Sequence, residues 1–207
     1  MVQTGSGRGP RVLGITGPIG CGKTTVGDIL LELGALERID ADREVHALMQ
    51  PGTEVTREIA RRFGEAVIAP DGSVDRARLG GIVFADPERL RELESITHPA
   101  VRRSIRGRLQ DYADEDGVVV VDAVKLLQSD LLPFVEAVWV VQCSQQVQLE
   151  RLRMIRGMSR EAALDRVRAQ PDFRHERVTA VLENSGSLQE LRERVQQAWQ
   201  VFKNGVL

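Results

Sequence analysis

Only three lysines, Lys23, Lys125 and Lys203, stand among the 28 basic residues of this 207-residue chain; the rest are arginine. Arginine suits bidentate phosphate contacts, but an arginine-rich proteome would give the same count, so most of these side chains read as ordinary surface charge. Cysteine is equally scarce. Cys21 and Cys143 are too few for a disulfide framework or a cysteine metal cluster, and Cys143, at the end of an apolar strand, is expected to be simply buried. No apolar run approaches the roughly 20 residues a membrane span needs. The polar, glycine-rich opening, Met1 to Pro10, has no apolar core; it reads as a disordered lead-in and not as a signal peptide. Net charge is close to balance at -2, which removes any global pull towards nucleic acid or an anionic membrane. The expectation is a cytoplasmic protein, monomeric or weakly homo-oligomeric, with 42% hydrophobic residues to build a core.

What is present is concentrated near the start. Gly17-Pro18-Ile19-Gly20-Cys21-Gly22-Lys23-Thr24 fits G-x-x-x-x-G-K-[ST], the phosphate-binding loop. Val12 to Thr16 before it is short, apolar and partly β-branched, as a strand should be. Thr25 to Leu33 after it carries apolar residues at helical spacing, and Gly34 stops it. In this arrangement backbone amides ring a phosphate, the helix start adds its positive dipole end, Lys23 reaches the β and γ phosphates, and the Thr24 hydroxyl is set to hold Mg²⁺. The expected ATP-binding set is Gly17, Ile19, Gly20, Cys21, Gly22, Lys23, Thr24 and Thr25. The Cys21 side chain is expected to point away from the ligand.

Further strands follow. A short second one, Ala35 to Ile39, delivers Asp40-Ala41-Asp42 at its carboxyl end, the edge where open α/β sheets bind ligands. One of these acids can accept a proton from an attacking hydroxyl and one can hold metal through water; either can instead cap the helix from Arg43 to Met49. Residues 43 to 111 read as mostly helical. Within them Thr53 caps a helix to Phe63, Asp75 to Phe84 is helical, and a long helix from about Glu88 to Asp111 contains Pro99, which should bend or divide it. Val118 to Asp122 is a continuous apolar run ending in an acid, as a central parallel strand should be, and Asp122 is a candidate Mg²⁺ partner or a turn residue. Ala137 to Gln142 and Val178 to Glu183 are the fourth and fifth strands. Between them lie two short arginine-rich helices, the pattern of a lid that closes over phosphates.

These stretches together resemble the bacterial dephospho-CoA kinase family over about residues 12 to 200. The likeness is carried by Gly14 to Thr25; Ile39-Asp40-Ala41-Asp42 with His46 and Pro51-Gly52; Asp71-Gly72 with Asp75-Arg76; Ile96-Thr97-His98-Pro99; Gln148 and Arg151; Gly157-Met158-Ser159; Arg166 with Gln170; and Glu183-Asn184-Ser185. The resemblance implies an α/β P-loop kinase fold, a five-stranded parallel sheet flanked by helices with a helical acceptor-binding insertion and a lid. It implies ATP-dependent phosphorylation of the ribose 3′-hydroxyl of dephospho-CoA, with Mg²⁺. By the same resemblance Asp42 is the base, Lys23 and Thr24 handle phosphate and metal, and Asp40, His46, Arg76 and His98 belong to the acceptor side. The chain departs from the family where a proline and a glutamate usually follow the third strand: here Asp122-Ala123-Val124-Lys125 stands, and Lys125 either meets substrate phosphate or snorkels to solvent. In the lid Ile155-Arg156 replaces the usual arginine-led pair, which makes Arg156 the expected lid arginine. Arg174 or Arg177 stands in for a missing lysine.

The expected organisation is a lead-in (1–10) and one kinase domain (11–207), made of a core (11–42, 117–143, 178–204), a CoA-binding insertion (43–116) and a lid (144–177). Two rival readings remain at this stage: a kinase of the same fold for a nucleoside or sugar, and a nucleotide-binding protein that no longer catalyses.

Overall fold

The computed structural model describes residues 9–205. Its centre is a five-stranded parallel sheet built from β1 (Arg11–Thr16), β2 (Glu37–Asp40), β3 (Val118–Asp122), β4 (Ala137–Gln142) and β5 (Val178–Glu183), in the order β2-β3-β1-β4-β5. All five residues of β3 are buried, as are the first five of β4. That is why both strands read as unbroken apolar runs: a parallel strand covered on both faces has no polar side to alternate with. The register sets Ile15 of β1 beside Asp122 of β3 and Thr16 beside Val140 of β4. The carboxyl ends of these three neighbouring strands therefore finish close together.

One face of the sheet is covered by α1 (Lys23–Glu32) and α8 (Leu188–Lys203), which pack on each other. Leu13, Ile15, Val120 and Trp139 from the strands meet Val26, Ile29 and Leu30 of α1 and Leu191, Val195, Trp199 and Phe202 of α8. Trp199 is a core residue, its indole N–H donating to the Leu33 carbonyl at 3.2 Å. Phe202 lies edge-on to Trp139 and stacked on Trp199.

Contacts divide the chain into two compact units, residues 40–111 and the remainder. The smaller unit is helical: α2 (Ala41–Leu48), α3 (Glu54–Phe63), α4 (Arg76–Val83) and α5 (Pro87–Gln110), the first three all packing on the fourth. Val55, Ile59, Phe63, Val67, Leu79, Val83 and Ala100 form its core. The Asp71-Gly72 turn links a short antiparallel bridge between Ile68 and Val74. A half-buried polar cluster ties α2 to α5: the Glu44 carboxylate accepts from the Ser104 hydroxyl at 2.5 Å and from the Arg108 guanidinium.

Pro99 does not divide α5, which is a single helix of 24 residues. A mid-helix proline removes one backbone bond and costs about 3 kcal/mol. Burial of Thr97, Ala100, Val101 and Ile105 around it outweighs that, and the Thr97 hydroxyl adds a bond to the Leu93 carbonyl at 3.0 Å. Among the described residues, no helix is long and apolar enough to cross a membrane.

Candidate active site

Of the eight α-helices among the described residues, seven begin with a side chain that accepts a backbone N–H: Asp40, Thr53, Asp75, Asp86, Ser144, Ser159 and Ser187. α1 does not. Gly22 precedes it at φ 95° and no side chain caps it. Its first-turn amides lack the partner the other helices have, and that is the electrostatic signature of an anion site. The loop leading there needs its glycines for contact as well as for conformation. A Cβ on Gly17 would overlap the Val141 carbonyl oxygen, and one on Gly22 would overlap the Asn184 amide nitrogen. Lys23 folds back across the loop, its ammonium 3.0 Å from the Gly17 carbonyl. Thr24 is exposed at the helix start and Thr25 half-buried.

The loop is held from outside by three amide side chains. Gln148, on α6 (Gln145–Arg156) and almost fully buried, donates to the Ile19 carbonyl at 2.7 Å. Gln170, just past α7 (Arg160–Arg168), accepts from the Ile19 N–H at 2.6 Å and from Gln148 at 3.2 Å. Asn184 donates to the Cys21 carbonyl at 2.8 Å, while its own N–H is taken by the Gln142 carbonyl at 2.7 Å. The Ile19 N–H and carbonyl are thus both satisfied, by Gln170 just after α7 and by Gln148 of α6. Gln148, Gln170 and Asn184 were visible in the family-like stretches, but nothing in the sequence says what they touch. Arg38 gave no signal at all. Its side chain, 9% exposed, bonds the Thr24 carbonyl at 2.8 Å and Asp28 at 2.9 Å and lies against Gly27, bracing the first turns of α1.

A Gln170→Ala change should leave the Ile19 N–H without its partner, a loss of about 1–3 kcal/mol. The expected result is a KM for ATP raised by roughly tenfold with the acceptor KM unmoved, read by steady-state kinetics. An unchanged ATP KM would remove Gln170 from the loop's support.

Asp122 ends β3 and is 7% exposed. The segment after it continues along β1 without the usual proline: the Ala123 N–H reaches the Ile15 carbonyl at 3.1 Å and the Thr16 hydroxyl reaches the Val124 carbonyl at 2.9 Å. Lys125 is exposed at the start of a short 3₁₀ turn, Leu126–Gln128.

Within residues 40–111, Asp40 is the helix cap, its Oδ1 accepting from the Asp42 and Arg43 amides at 3.0 and 3.1 Å. Asp42 is exposed in the first turn of α2, and among the described residues its carboxylate has no hydrogen-bond partner. The helix therefore separates the two acids: one is spent on capping, the other stays available. His46 and Arg76 come together, Arg76 donating to the His46 Nδ1 at 3.3 Å. His98 is exposed on α5.

Arg156 closes α6, and its side chain lies outside the described residues, as does the lead-in up to Arg8. Of the other arginines on α6 and α7, Arg168 approaches Asp165 at 3.8 Å. Arg151, Arg153, Arg160 and Arg166 have no carboxylate partner among the described residues. Arg174 is engaged with Asp172 through both carboxylate oxygens, which holds that exposed carboxyl down to about 2. Arg177 donates to the Val135 carbonyl at 2.6 Å. Neither is an open phosphate contact.

Cys143 is not an inert buried thiol: it forms a disulfide with Cys21, Cα atoms 5.3 Å apart. A pairing across 122 residues of sequence has no local signature, so two cysteines without a spacing pattern concealed it.

A family profile for dephospho-CoA kinase matches residues 11–190. A dephospho-CoA kinase of Symbiobacterium thermophilum is 44% identical over 94% of this chain and 82% of its own length. Among solved structures, one from Thermus thermophilus is 34% identical with a TM-score of 0.82, covering 94% of this chain and 98% of that one. A dephospho-CoA kinase from Campylobacter jejuni is 25% identical with a TM-score of 0.63, covering 92% and 96%.

Proposed function

The chain belongs to the dephospho-CoA kinase family, ATP-dependent enzymes that phosphorylate dephospho-CoA in coenzyme A synthesis, and from that premise we propose how its residues divide the work. The observation that carries the reading is the uncapped start of α1 behind the glycine loop, with Lys23 in the loop. Gly17 to Thr25 bind the ATP phosphates. The acceptor is the ribose 3′-hydroxyl. Asp42, which follows the carboxyl end of β2 and is not used as a cap, takes the hydroxyl proton. The hydroxyl oxygen then bonds to the γ-phosphorus as the bond to the β–γ bridging oxygen breaks, and ADP leaves. Lys23 and a lid arginine neutralise the charge in transit. Arg156 is our candidate for the latter. Asp40 sets α2 so that Asp42 presents outwards, and His46, Arg76, His98 and Lys125 receive the acceptor.

Thr24 and Asp122 are suited to Mg²⁺. Both offer hard oxygen donors, which suits an ion that takes few protein ligands and completes its shell with water and phosphate oxygens. When bound, the ion supplies charge neutralisation at the β and γ phosphates. We place the enzyme in the cytoplasm as a monomer or weak homo-oligomer.

The test is ADP release with ATP, Mg²⁺ and dephospho-CoA, against no acceptor and against adenosine. Acceptor-dependent release with dephospho-CoA is the expected result. Release with adenosine alone would overturn the acceptor, and ATP binding without turnover on any acceptor would overturn the enzyme.

A further inference from the structure

We propose that Cys21 and Cys143 form a reversible redox site that reacts with low-molecular-weight disulfides and ties the phosphate loop to the root of the lid. The pair is built in. Cys21 is fully buried, and its backbone is fixed twice over: its N–H donates to the Pro18 carbonyl at 3.3 Å and its carbonyl accepts from Asn184 at 2.8 Å. Its sulfur position is therefore set by the phosphate-binding geometry itself. Cys143 is half-buried, between the last residue of β4 and Ser144, the cap of α6. The Ser144 N–H is in turn held by the Ser185 hydroxyl at 2.7 Å. The Cα separation of 5.3 Å lies in the middle of the range a disulfide accepts. These are the chain's two cysteines, so closing the bond leaves no competing thiol.

The difference in exposure assigns an order. Cys143, the accessible sulfur, attacks as thiolate one sulfur of R–S–S–R and displaces RS⁻. Cys21, as thiolate, then attacks the Cys143 sulfur of the mixed disulfide and displaces the second RS⁻. The protein dithiol loses two electrons, the small disulfide gains them, and the two thiol protons leave on two RSH. In a cytoplasmic protein such bonds are transient and redox-linked; that clause rests on the compartment proposed above. The acceptor and its product carry a thiol, so their own disulfides belong to the reacting class.

The bond crosses from the loop to the segment on which α6 must turn if the lid is to close. With the bond intact these parts cannot shift independently, so lid movement, and with it turnover, slows. ATP binding, whose phosphate contacts lie in the loop on one side of the bond, changes little.

The experiment equilibrates the full chain across a series of reduced-to-oxidised glutathione ratios, traps free thiols by alkylation, and reads three things: the Cys21–Cys143 peptide by mass, nucleotide affinity, and turnover. The expected result is a single midpoint shared by peptide and kcat. The oxidised form should show a several-fold loss of kcat restored by dithiothreitol and a higher melting temperature. Cys143→Ser should form no such peptide and keep its turnover at every ratio. Absence of the cross-linked peptide at all ratios overturns the site. Equal kcat in bonded and reduced wild type, or oxidant-dependent loss in Cys143→Ser, overturns the lock. The peptide readout does not involve the acceptor, so failure here and failure of the acceptor assignment are separately visible.

Discussion

Asp42→Asn is expected to lower kcat by about 10²–10⁴, the range that a positioned general base contributes, while ATP affinity stays within experimental error. Asparagine is nearly the same size and does not disturb the cap, because Asp40 and not Asp42 receives the first-turn amides of α2. The helix therefore forms as before, and only the proton acceptor is missing. Binding of both substrates measured by calorimetry, beside kcat, separates a chemical defect from a folding one. Normal turnover in Asp42→Asn would show that the proton leaves by another route. Asp40→Asn makes the internal control: it retains a capping oxygen, so a moderate stability change with turnover near normal is the expected contrast.

The second large effect is at Lys23. Lys23→Ala should reduce kcat/KM for ATP by about 10²–10³, the scale for removing one preorganised charge-stabilising donor from a transition state. The fold should survive. Lys23 is the first residue of α1, where alanine is at least as good a helix former, and its ammonium bonds the Gly17 carbonyl within the same loop. If the loss appears in kcat at saturating ATP, the ammonium acts mainly on the phosphoryl in transit. If it appears only in KM, the lysine is a binding residue. A variant with full kcat/KM would refute the phosphate reading of the loop.

Several parts of this protein could be read directly. The strands β3 and β4 lie where their apolar runs do, because burial on both faces leaves almost no polar position to blur the boundary. The glycine-lysine loop was legible because its chemistry demands a local sequence. The caps at Thr53, Ser144 and Ser187 were legible for the same reason: a cap bonds to amides two or three residues away. The acid pair was half legible. Its two members could be named, but their division of labour depended on which one the α2 backbone reached.

Contacts between residues far apart in the chain were decided by tertiary structure alone. Ile19 meets Gln170 across 151 residues, Cys21 meets Cys143 across 122, and Arg108 meets Glu44 across 64. A glutamine, a cysteine or an arginine carries the same letter whether its partner is water or a buried amide, so no local pattern records these pairings. Pro99 shows the same limit from the other side. Local rules counted the lost hydrogen bond correctly, but they did not contain the buried face that keeps α5 whole. Sequence by itself determined what short-range physics encodes: strand and helix periods, caps, and the phosphate loop. Folding decided what depends on which distant surfaces are excluded from water together: the clamps around Ile19, the thiol pair behind the loop, and the brace of Arg38 on α1.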